Sequence, residues 1–191
     1  MVRLIAALSV VVLLSHSAIV QGADARLGPL GANAHPAVPT FYNDMALHYQ
    51  IPPVLLYAIA LTEAKHTVAG RVGPWPWTAN IRGKGVYYDS RKQAFSLLNY
   101  ELQQGNENFG VGPMQVHWSY HKRKFKDNLW VALDPKLNIQ VGAYILAQLF
   151  NQEQNWEKAT GRYHSDKNPA LQQAYIGRVA RNIAWIKRQA Q

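Results

Sequence analysis

Ile51-Pro-Pro-Val-Leu-Leu-Tyr-Ala-Ile-Ala-Leu-Thr-Glu63 is the stretch that decides the fold of this 191-residue chain. Two prolines suit the first turn of a helix, where a missing N–H donor costs nothing. No residue from Val54 to Lys65 interrupts a helix. The stretch therefore predicts an apolar helix that carries one carboxylate, Glu63, close to its end.

The position of Glu63 on this helix gives the carboxylate two possible roles. Glu63 lies seven residues after Leu56, so it shares the face of the apolar residues. Burial there would raise the pKa from about 4.3 toward about 6 to 7, where a carboxylic acid can donate a proton at neutral pH. The alternative is a carboxylate turned into solvent or paired with Lys65 or His66, and the helix alone leaves both interpretations open.

The first 25 residues are typical of a secretory signal peptide. Arg3 forms a short positive region, Leu4 to Leu14 forms an apolar region, and small residues near positions 20 to 25 offer two cleavage sites. An uncleaved anchor is the alternative, but the apolar run is shorter than the roughly 20 residues of a spanning helix. We therefore expect an exported, periplasmic protein with no membrane span after signal removal.

Composition limits the remaining possibilities. The chain has no cysteine and hence no disulfide, and its formal net charge is +9. Such a charge suits an anionic partner, namely cell-wall polymer, a membrane surface or nucleic acid, and the charge does not choose among them. The length after signal removal corresponds to one domain.

Patterning along the chain predicts a mainly α domain with one small β-hairpin. Residues 26 to 39 are rich in Gly, Pro and Ala and predict an extended leader, so the domain comprises residues 40 to 191. Thr40 is expected to cap a first short helix that runs through Tyr49. Residues 71 to 89 predict the hairpin, and no other stretch resembles sheet.

Three capping signals predict the later helices. Ser90-Arg-Lys-Gln93 is a capping box that opens a helix closed by Gly105. Asp134-Pro135 begins a helix that continues to about Gln152, and Asn168-Pro169 begins the last one.

A second candidate site lies in Asn108-Phe-Gly-Val-Gly-Pro-Met-Gln-Val-His117. Gly110, Gly112 and Pro113 predict a tight, stiff turn. The turn would present an apolar surface from Met114 and an amide from Gln115 to a ligand. Taken alone, an ordinary turn between helices explains this stretch better.

Five motifs in order give the chain a family resemblance from about residue 40 to 185. They are Ala60-Leu-Thr-Glu63, Gly112-Pro-Met-Gln115, Asn138-Ile-Gln-Val-Gly-Ala-Tyr-Ile145, Ala159-Thr-Gly-Arg-Tyr-His-Ser165 and Tyr175-Ile-Gly-Arg-Val179. In this order and spacing they resemble the catalytic domain of the soluble lytic transglycosylases, which cleave peptidoglycan and have a lysozyme-like fold. The resemblance implies glycan strands as the substrate and no cofactor.

The resemblance also implies roles for residues of this chain. Glu63 would be the single catalytic residue, acting first as an acid and then as a base. Gln115 and the backbone of Met114 would hold the sugars. Tyr163 would orient Glu63 or the N-acetyl group of the substrate.

The resemblance also covers three residues of the third motif. Tyr144 belongs to the candidate substrate-binding set. Together with Asn138 and Gly142, it is expected chiefly to organise helix packing behind the site.

The predicted hairpin suggests a subgroup of this family. Pro74-Trp-Pro-Trp-Thr-Ala-Asn80 and Tyr87-Tyr-Asp-Ser-Arg91 resemble the inserted hairpin of transglycosylases that accompany conjugation and secretion machineries. Such an apparatus is therefore a candidate partner. Most aromatic side chains here are expected to pack together. Trp77 and Asn80 are the candidates for substrate contact.

Two positions depart from the family pattern. Ala64 stands where the family commonly has Ser after the catalytic Glu, so a hydroxyl that could tune the acid is missing. Tyr163-His-Ser165 replaces the common Tyr-Asn-x-Gly; His164 is either a ligand contact or an exposed histidine, and the second interpretation is favoured.

The basic run His121-Lys-Arg-Lys-Phe-Lys126 is best interpreted as the solvated face of a short helix, and attraction to wall anions is the functional alternative. Nucleic-acid binding is a less favoured interpretation because no nucleic-acid-recognition motif accompanies this basic run. The seven histidines lack metal-ligand spacing, so no metal is predicted. Three further hypotheses stay open: a lysozyme-type hydrolase, a non-catalytic peptidoglycan-binding scaffold and a basic nucleic-acid-binding protein.

Overall fold

The computed structural model describes residues 26 to 190, which form a mainly α domain with a small amount of antiparallel sheet. The predicted signal peptide, residues 1 to 25, lies outside the described residues. The α-helices are α1 (Thr40–His48), α2 (Pro53–Ala64), α3 (Arg91–Gln103), α4 (Trp118–His121), α5 (Leu129–Ala132), α6 (Pro135–Glu153), α7 (Trp156–His164) and α8 (Pro169–Arg188). A 3-10 turn, Lys122–Phe125, follows α4.

Helix α2 is the central element of the core. Every residue from Pro53 to Leu61 is buried, so the helix is enclosed on all sides rather than along one apolar stripe. It packs against α1 and α8, while α7 packs against both α6 and α8. In residues 26 to 190, no single helix is long and apolar enough to span a membrane. Taken together, α1 and α2 meet the length and composition criteria, but they are bent by 118° at their junction.

The sheet is larger than the sequence predicted. Strands β1 (Lys65–Val68) and β2 (Arg71–Pro74) form one antiparallel hairpin. A second sheet has the order β4-β3-β5-β6 and contains β3 (Thr78–Ile81), β4 (Lys84–Tyr87), β5 (Phe109–Val111) and β6 (Val116–His117). The expectation of a single hairpin was therefore wrong. Strands of two or three residues inside a glycine-rich turn carry no alternating pattern that would reveal them.

Most predicted helix starts are confirmed by their caps. The Asp134 carboxylate accepts bonds from two backbone N–H groups of α6, and the side chain of Asn168 accepts one from Leu171. Ser90 likewise accepts from Gln93. Thr40 is an exception, because it is the first residue of α1 rather than its cap and its side chain makes no capping bond.

The segment before α1 is packed on the domain. Residues 26 to 39 contain no helix or strand, but Leu27 and Val38 are buried in the core. The ammonium of Lys187 donates to the Pro29 carbonyl over 2.8 Å, which attaches the segment to the end of α8.

Gly142 allows α6 to approach the Met114 turn closely. A Cβ atom at Gly142 would lie 2.6 Å from the Met114 Cβ, much closer than two carbon atoms can pack. Gly177 provides a matched comparison in α8, because a Cβ atom there would meet nothing nearer than an Arg181 nitrogen at 3.8 Å.

We expect Gly142→Ala to destabilise the protein by about 1–3 kcal/mol, since it overpacks a buried contact. Gly177→Ala should instead stabilise it by about 0.5–1 kcal/mol through the better helix propensity of alanine. Urea unfolding followed by circular dichroism measures both. If the two substitutions changed the free energy of unfolding equally, α6 would not approach the Met114 turn as closely as the structure shows.

Candidate functional site

Glu63 projects from the last turn of α2 into a surface cleft. The cleft has a volume of about 370 Å³. Its walls come from β3, from the β5–β6 turn and from α7. The lining residues are Glu63, Asn80, Arg82, Gly83, Asn108, Phe109, Gly110, Gln115, His117, Tyr163 and His164. Glu63 is half-buried and is the only acidic residue among them.

The protein environment keeps the Glu63 carboxyl partly protonated at neutral pH. Desolvation raises its pKa to about 7, although a hydrogen bond from Tyr175 and the nearby Arg178 guanidinium act in the opposite direction. The dominant effect is desolvation because the ionised carboxylate loses water that the surrounding apolar atoms do not replace. Of the two interpretations left open by the sequence, the desolvated acid is the one that the fold produces.

Tyr175 holds the carboxyl directly. Its hydroxyl donates to Glu63 Oε1 over 2.7 Å, although the two residues are 112 positions apart. Burial and the charge of Glu63 raise the pKa of Tyr175 well above its ordinary value, so this hydroxyl stays a donor. Tyr175 was not predicted as a site residue from the sequence. The available signal was its place at the start of the late motif Tyr175-Ile-Gly-Arg-Val179.

Tyr163 lines the cleft but has another partner. Its hydroxyl donates to the Met114 carbonyl oxygen over 2.9 Å, and within residues 26 to 190 it makes no hydrogen bond to Glu63. The charge of Glu63 nevertheless contributes to a pKa of Tyr163 well above the ordinary value, after desolvation as the main cause. Tyr163 therefore lies near the carboxyl and fixes the turn, whereas the expected direct orientation of Glu63 is performed by Tyr175.

Met114 does not face the cleft, contrary to expectation. Its side chain is fully buried against Gly142, so it cannot offer an apolar surface to a ligand. Its backbone N–H donates to Asn138 Oδ1 over 3.0 Å. Asn138 in turn donates to the carbonyls of Val111 and Ala132, at 3.0 and 3.1 Å. Met114 therefore anchors the turn to α6.

Gln115 is the turn residue that faces the cleft. Its backbone has a φ of 45°, in the left-handed region. The side-chain amide donates to the Gly112 carbonyl over 2.9 Å and to the Thr78 carbonyl over 3.3 Å. Its Oε1 is buried and has no hydrogen-bond partner within residues 26 to 190. A buried acceptor without a partner costs stability, so the turn holds Gln115 in this position at a local energetic cost.

Of the two residues predicted in the hairpin, Asn80 lines the cleft and Trp77 does not. Asn80 is exposed on β3 and lines the cleft beside Gln115, where its amide can reach a ligand. Trp77 is half-buried, packs edge to face on Trp75 with ring centroids 6.2 Å apart and does not line the cleft. The structure thus groups Trp77 with the packing aromatics rather than with the candidate contacts.

Tyr144 lies in a different place from the other predicted site residues. It is 39% exposed and lines surface depressions that share no residue with the Glu63 cleft. Its motif partners behave as expected, since Asn138 is fully buried behind the turn and Gly142 packs on Met114.

His164 contributes to the wall of the cleft next to Tyr175. The two rings are stacked, with centroids 4.5 Å apart and an angle of 5° between their planes. The Arg178 guanidinium lies 5.3 Å from the centre of the Tyr175 ring. Partial burial, followed by the charge of Arg178, lowers the pKa of His164, which favours the neutral imidazole.

The other acids near the cleft are engaged elsewhere. Glu101 pairs with Arg82 at 3.2 Å, and Glu107 pairs with Lys122 at 2.6 Å. In the described part of the chain, no group of three His, Cys, Asp or Glu side chains is placed to hold a metal ion. Ala64 is fully buried, so a hydroxyl at this position would need a buried partner of its own.

No protein-family model, no curated protein and no solved structure matches this chain.

Burial of Glu63 makes stability depend on pH in a defined direction. Because its native pKa is raised, the native state loses stability relative to the unfolded state as pH rises from about 4.3 toward about 7. We expect Glu63→Gln to be more stable than the parent by up to about 3 kcal/mol near pH 8, and the gain to vanish near pH 4. Urea unfolding at the two pH values measures the difference.

Asp44→Asn is the control, because it removes one negative charge from an exposed side chain of α1. It reports the effect of net charge alone. If Glu63→Gln gave no more stability at high pH than this control, the carboxyl would be solvated and the cleft would lack a buried acid.

Proposed function

We propose that this protein cleaves the glycan strands of peptidoglycan as a lytic transglycosylase. The observation that carries the proposal is Glu63, the only acid among the residues that line the cleft, with a pKa raised to about 7. An acid with this pKa can donate a proton at neutral pH and accept one in the next step. The five motifs that resemble the transglycosylase family supply the substrate class.

The first step uses Glu63 as a general acid. Its proton passes to the oxygen between N-acetylmuramic acid and N-acetylglucosamine, and the bond from the muramoyl C1 to that oxygen breaks. The carbonyl oxygen of the muramoyl N-acetyl group stabilises the positive charge that develops at C1. The N-acetylglucosamine end of the strand leaves with a free 4-hydroxyl group.

The second step uses the same side chain as a general base. The Glu63 carboxylate removes the proton from the muramoyl C6 hydroxyl, and O6 forms a bond to C1, which releases the N-acetyl oxygen. The product carries a 1,6-anhydro ring, no water is consumed, and Glu63 is protonated again for the next turnover.

The supply of residues supports a mechanism with one carboxylate. Most glycosidases place a second carboxylate across the scissile bond as a nucleophile or base. Within the described residues, the cleft wall offers amides, hydroxyls and imidazoles around Glu63 but no second acid. The exposed amide of Asn80 is available to substrate hydroxyl and N-acetyl groups, Gln115 forms part of the cleft wall, and Tyr175 keeps the Glu63 carboxyl in place.

The setting of the enzyme is part of the proposal. We infer a lysozyme-like arrangement in which Glu63 lies in the last turn of the central helix and the β3–β6 sheet forms one wall of the cleft. Export by residues 1 to 25 would deliver the protein to the periplasm, where peptidoglycan lies. The resemblance of residues 74 to 91 to the transglycosylases of conjugation and secretion machineries supports local wall opening for such an apparatus.

Digestion of purified sacculi tests the reaction. We expect soluble muropeptides with 1,6-anhydromuramoyl ends in mass spectrometry. Glu63→Gln should lower the rate by at least about 100-fold, the lower range for loss of a general acid. Reducing ends would instead show a lysozyme-type hydrolase. Sacculus binding without release of muropeptides, unchanged in Glu63→Gln, would show a non-catalytic scaffold.

The pH dependence of cleavage tests the role of Tyr175. Since Glu63 must begin each turnover protonated, kcat/KM should fall as pH rises through its pKa of about 7. The hydrogen bond from Tyr175 favours the ionised carboxylate, so Tyr175→Phe should move this falling limb to higher pH. Tyr163→Phe loses a bond to Met114 instead and should lower the rate with the limb unmoved. If the falling limb of the pH profile did not move in Tyr175→Phe, the hydrogen bond from Tyr175 would not influence the pKa of Glu63.

A further inference from the structure

Tyr144 lies in a groove that is separate from the Glu63 cleft. Two adjoining depressions, of about 440 and 320 Å³, share Tyr49 and Tyr144. We refer to them together as the α6 groove, because most of their lining comes from α6. Each has a volume typical of small-molecule sites, and neither shares a residue with the cleft.

Aromatic rings run along the α6 groove. The Tyr49 and Tyr144 rings meet edge to face with centroids 6.3 Å apart. The Lys124 ammonium lies 5.0 Å from the Tyr144 ring centre. Phe150 and Trp156 stack at the far end, with centroids 3.9 Å apart. Tyr144 is 39% exposed, so part of this large aromatic side chain is open to a ligand.

Side-chain amides accompany these rings. The amide residues of the lining are Gln50, Gln140, Gln148 and Asn151. None of their side chains makes a hydrogen bond to another residue between 26 and 190. Each amide therefore has donors and an acceptor available to a ligand.

We propose that the α6 groove is a second glycan-binding site, which holds a peptidoglycan strand outside the catalytic cleft. The flat apolar face of a pyranose ring can pack on a tyrosine or tryptophan ring, while hydroxyl and N-acetyl groups need partners that both donate and accept. The groove offers both kinds of contact side by side. The proposal rests on the proposed function for the choice of glycan.

The charges of the groove disfavour other polymers. Lys124 is the only Lys or Arg among the lining residues, whereas a nucleic-acid site needs several cations along the phosphate backbone. Binding of a peptide by strand addition needs an open sheet edge. No strand residue contributes to the lining of the groove. The sugar rings of a glycan strand, which are uncharged and rich in hydroxyl and N-acetyl groups, fit the groove best.

The separate location has a functional consequence. Because the groove and the cleft share no lining residue, one glycan segment can occupy the groove while another occupies the cleft. Attachment to an insoluble strand would then raise the effective concentration of cleavable bonds near Glu63. The groove would matter most for intact sacculi and least for short soluble fragments.

A titration with the N-acetylglucosamine hexamer tests the site, using nitrogen-labelled full-length protein with Glu63→Gln to prevent cleavage. We expect shifts of the Trp156 indole N–H and of α6 amides in addition to cleft amides. Tyr144→Ala should weaken binding at the groove by about three- to tenfold, as for loss of one aromatic contact. Tyr144→Trp, which keeps an aromatic ring, should retain it.

Tyr100→Ala is the matched control, because Tyr100 is an exposed tyrosine on α3 that lines neither site. It should bind as the Glu63→Gln parent does. Shifts confined to the Glu63 cleft, no shifts at all, or groove binding unchanged in Tyr144→Ala would each overturn the second site. The α6 groove could also show chemical-shift changes while the protein with Glu63 intact releases no muropeptides from sacculi. That result would support the second site and refute the catalytic proposal.

Discussion

Burial of one carboxyl group against one tyrosine is the constraint on which this structure depends. Glu63 lies in the last turn of a helix whose other residues are almost all enclosed, and the Tyr175 hydroxyl on α8 donates to it over 2.7 Å. Desolvation destabilises the ionised carboxylate and raises its pKa, while the hydrogen bond from the tyrosine hydroxyl stabilises the carboxylate and lowers the pKa. Their balance leaves a pKa of about 7, and this value is what makes a single side chain able to give and take a proton. The packing of α2 on α8 is therefore both a core contact and the source of the hydrogen bond that moderates the raised pKa of Glu63.

A second set of contacts fixes the opposite wall of the cleft. Asn138 bonds to the Met114 backbone and to the Val111 carbonyl, so α6 holds the turn between β5 and β6 from behind. A Cβ at Gly112 would lie 2.4 Å from the Asn138 Cγ, which explains a residue without a side chain at this point. The turn then leaves Gln115 facing the cleft with one unsatisfied oxygen. The contacts of Asn138 therefore fix the turn, and with it the position of Gln115 in the cleft wall.

Local signals made most helices predictable, whereas contacts between distant segments did not appear in the sequence. Asp134 and Asn168 act as caps because capping involves only neighbouring backbone groups. Glu63 was identifiable because a lone acid interrupts an apolar helix. The pairing of Tyr175 with Glu63 depends on how α8 docks. The burial of Met114 depends on the closeness of α6, and the location of Tyr144 depends on the helix face that α6 presents. Residues 65 to 68 continue directly from α2, so the first strand had no boundary signal.

Titration of the Glu63 side-chain carboxyl tests the central claim most directly. Carbon-13 NMR of the full chain, with the signal assigned by its loss in Glu63→Gln, follows the carboxyl shift against pH. The account predicts a midpoint of about 7. A midpoint near the ordinary value of about 4.3 would mean a solvated carboxylate, and it would contradict both the buried acid and the mechanism built on it.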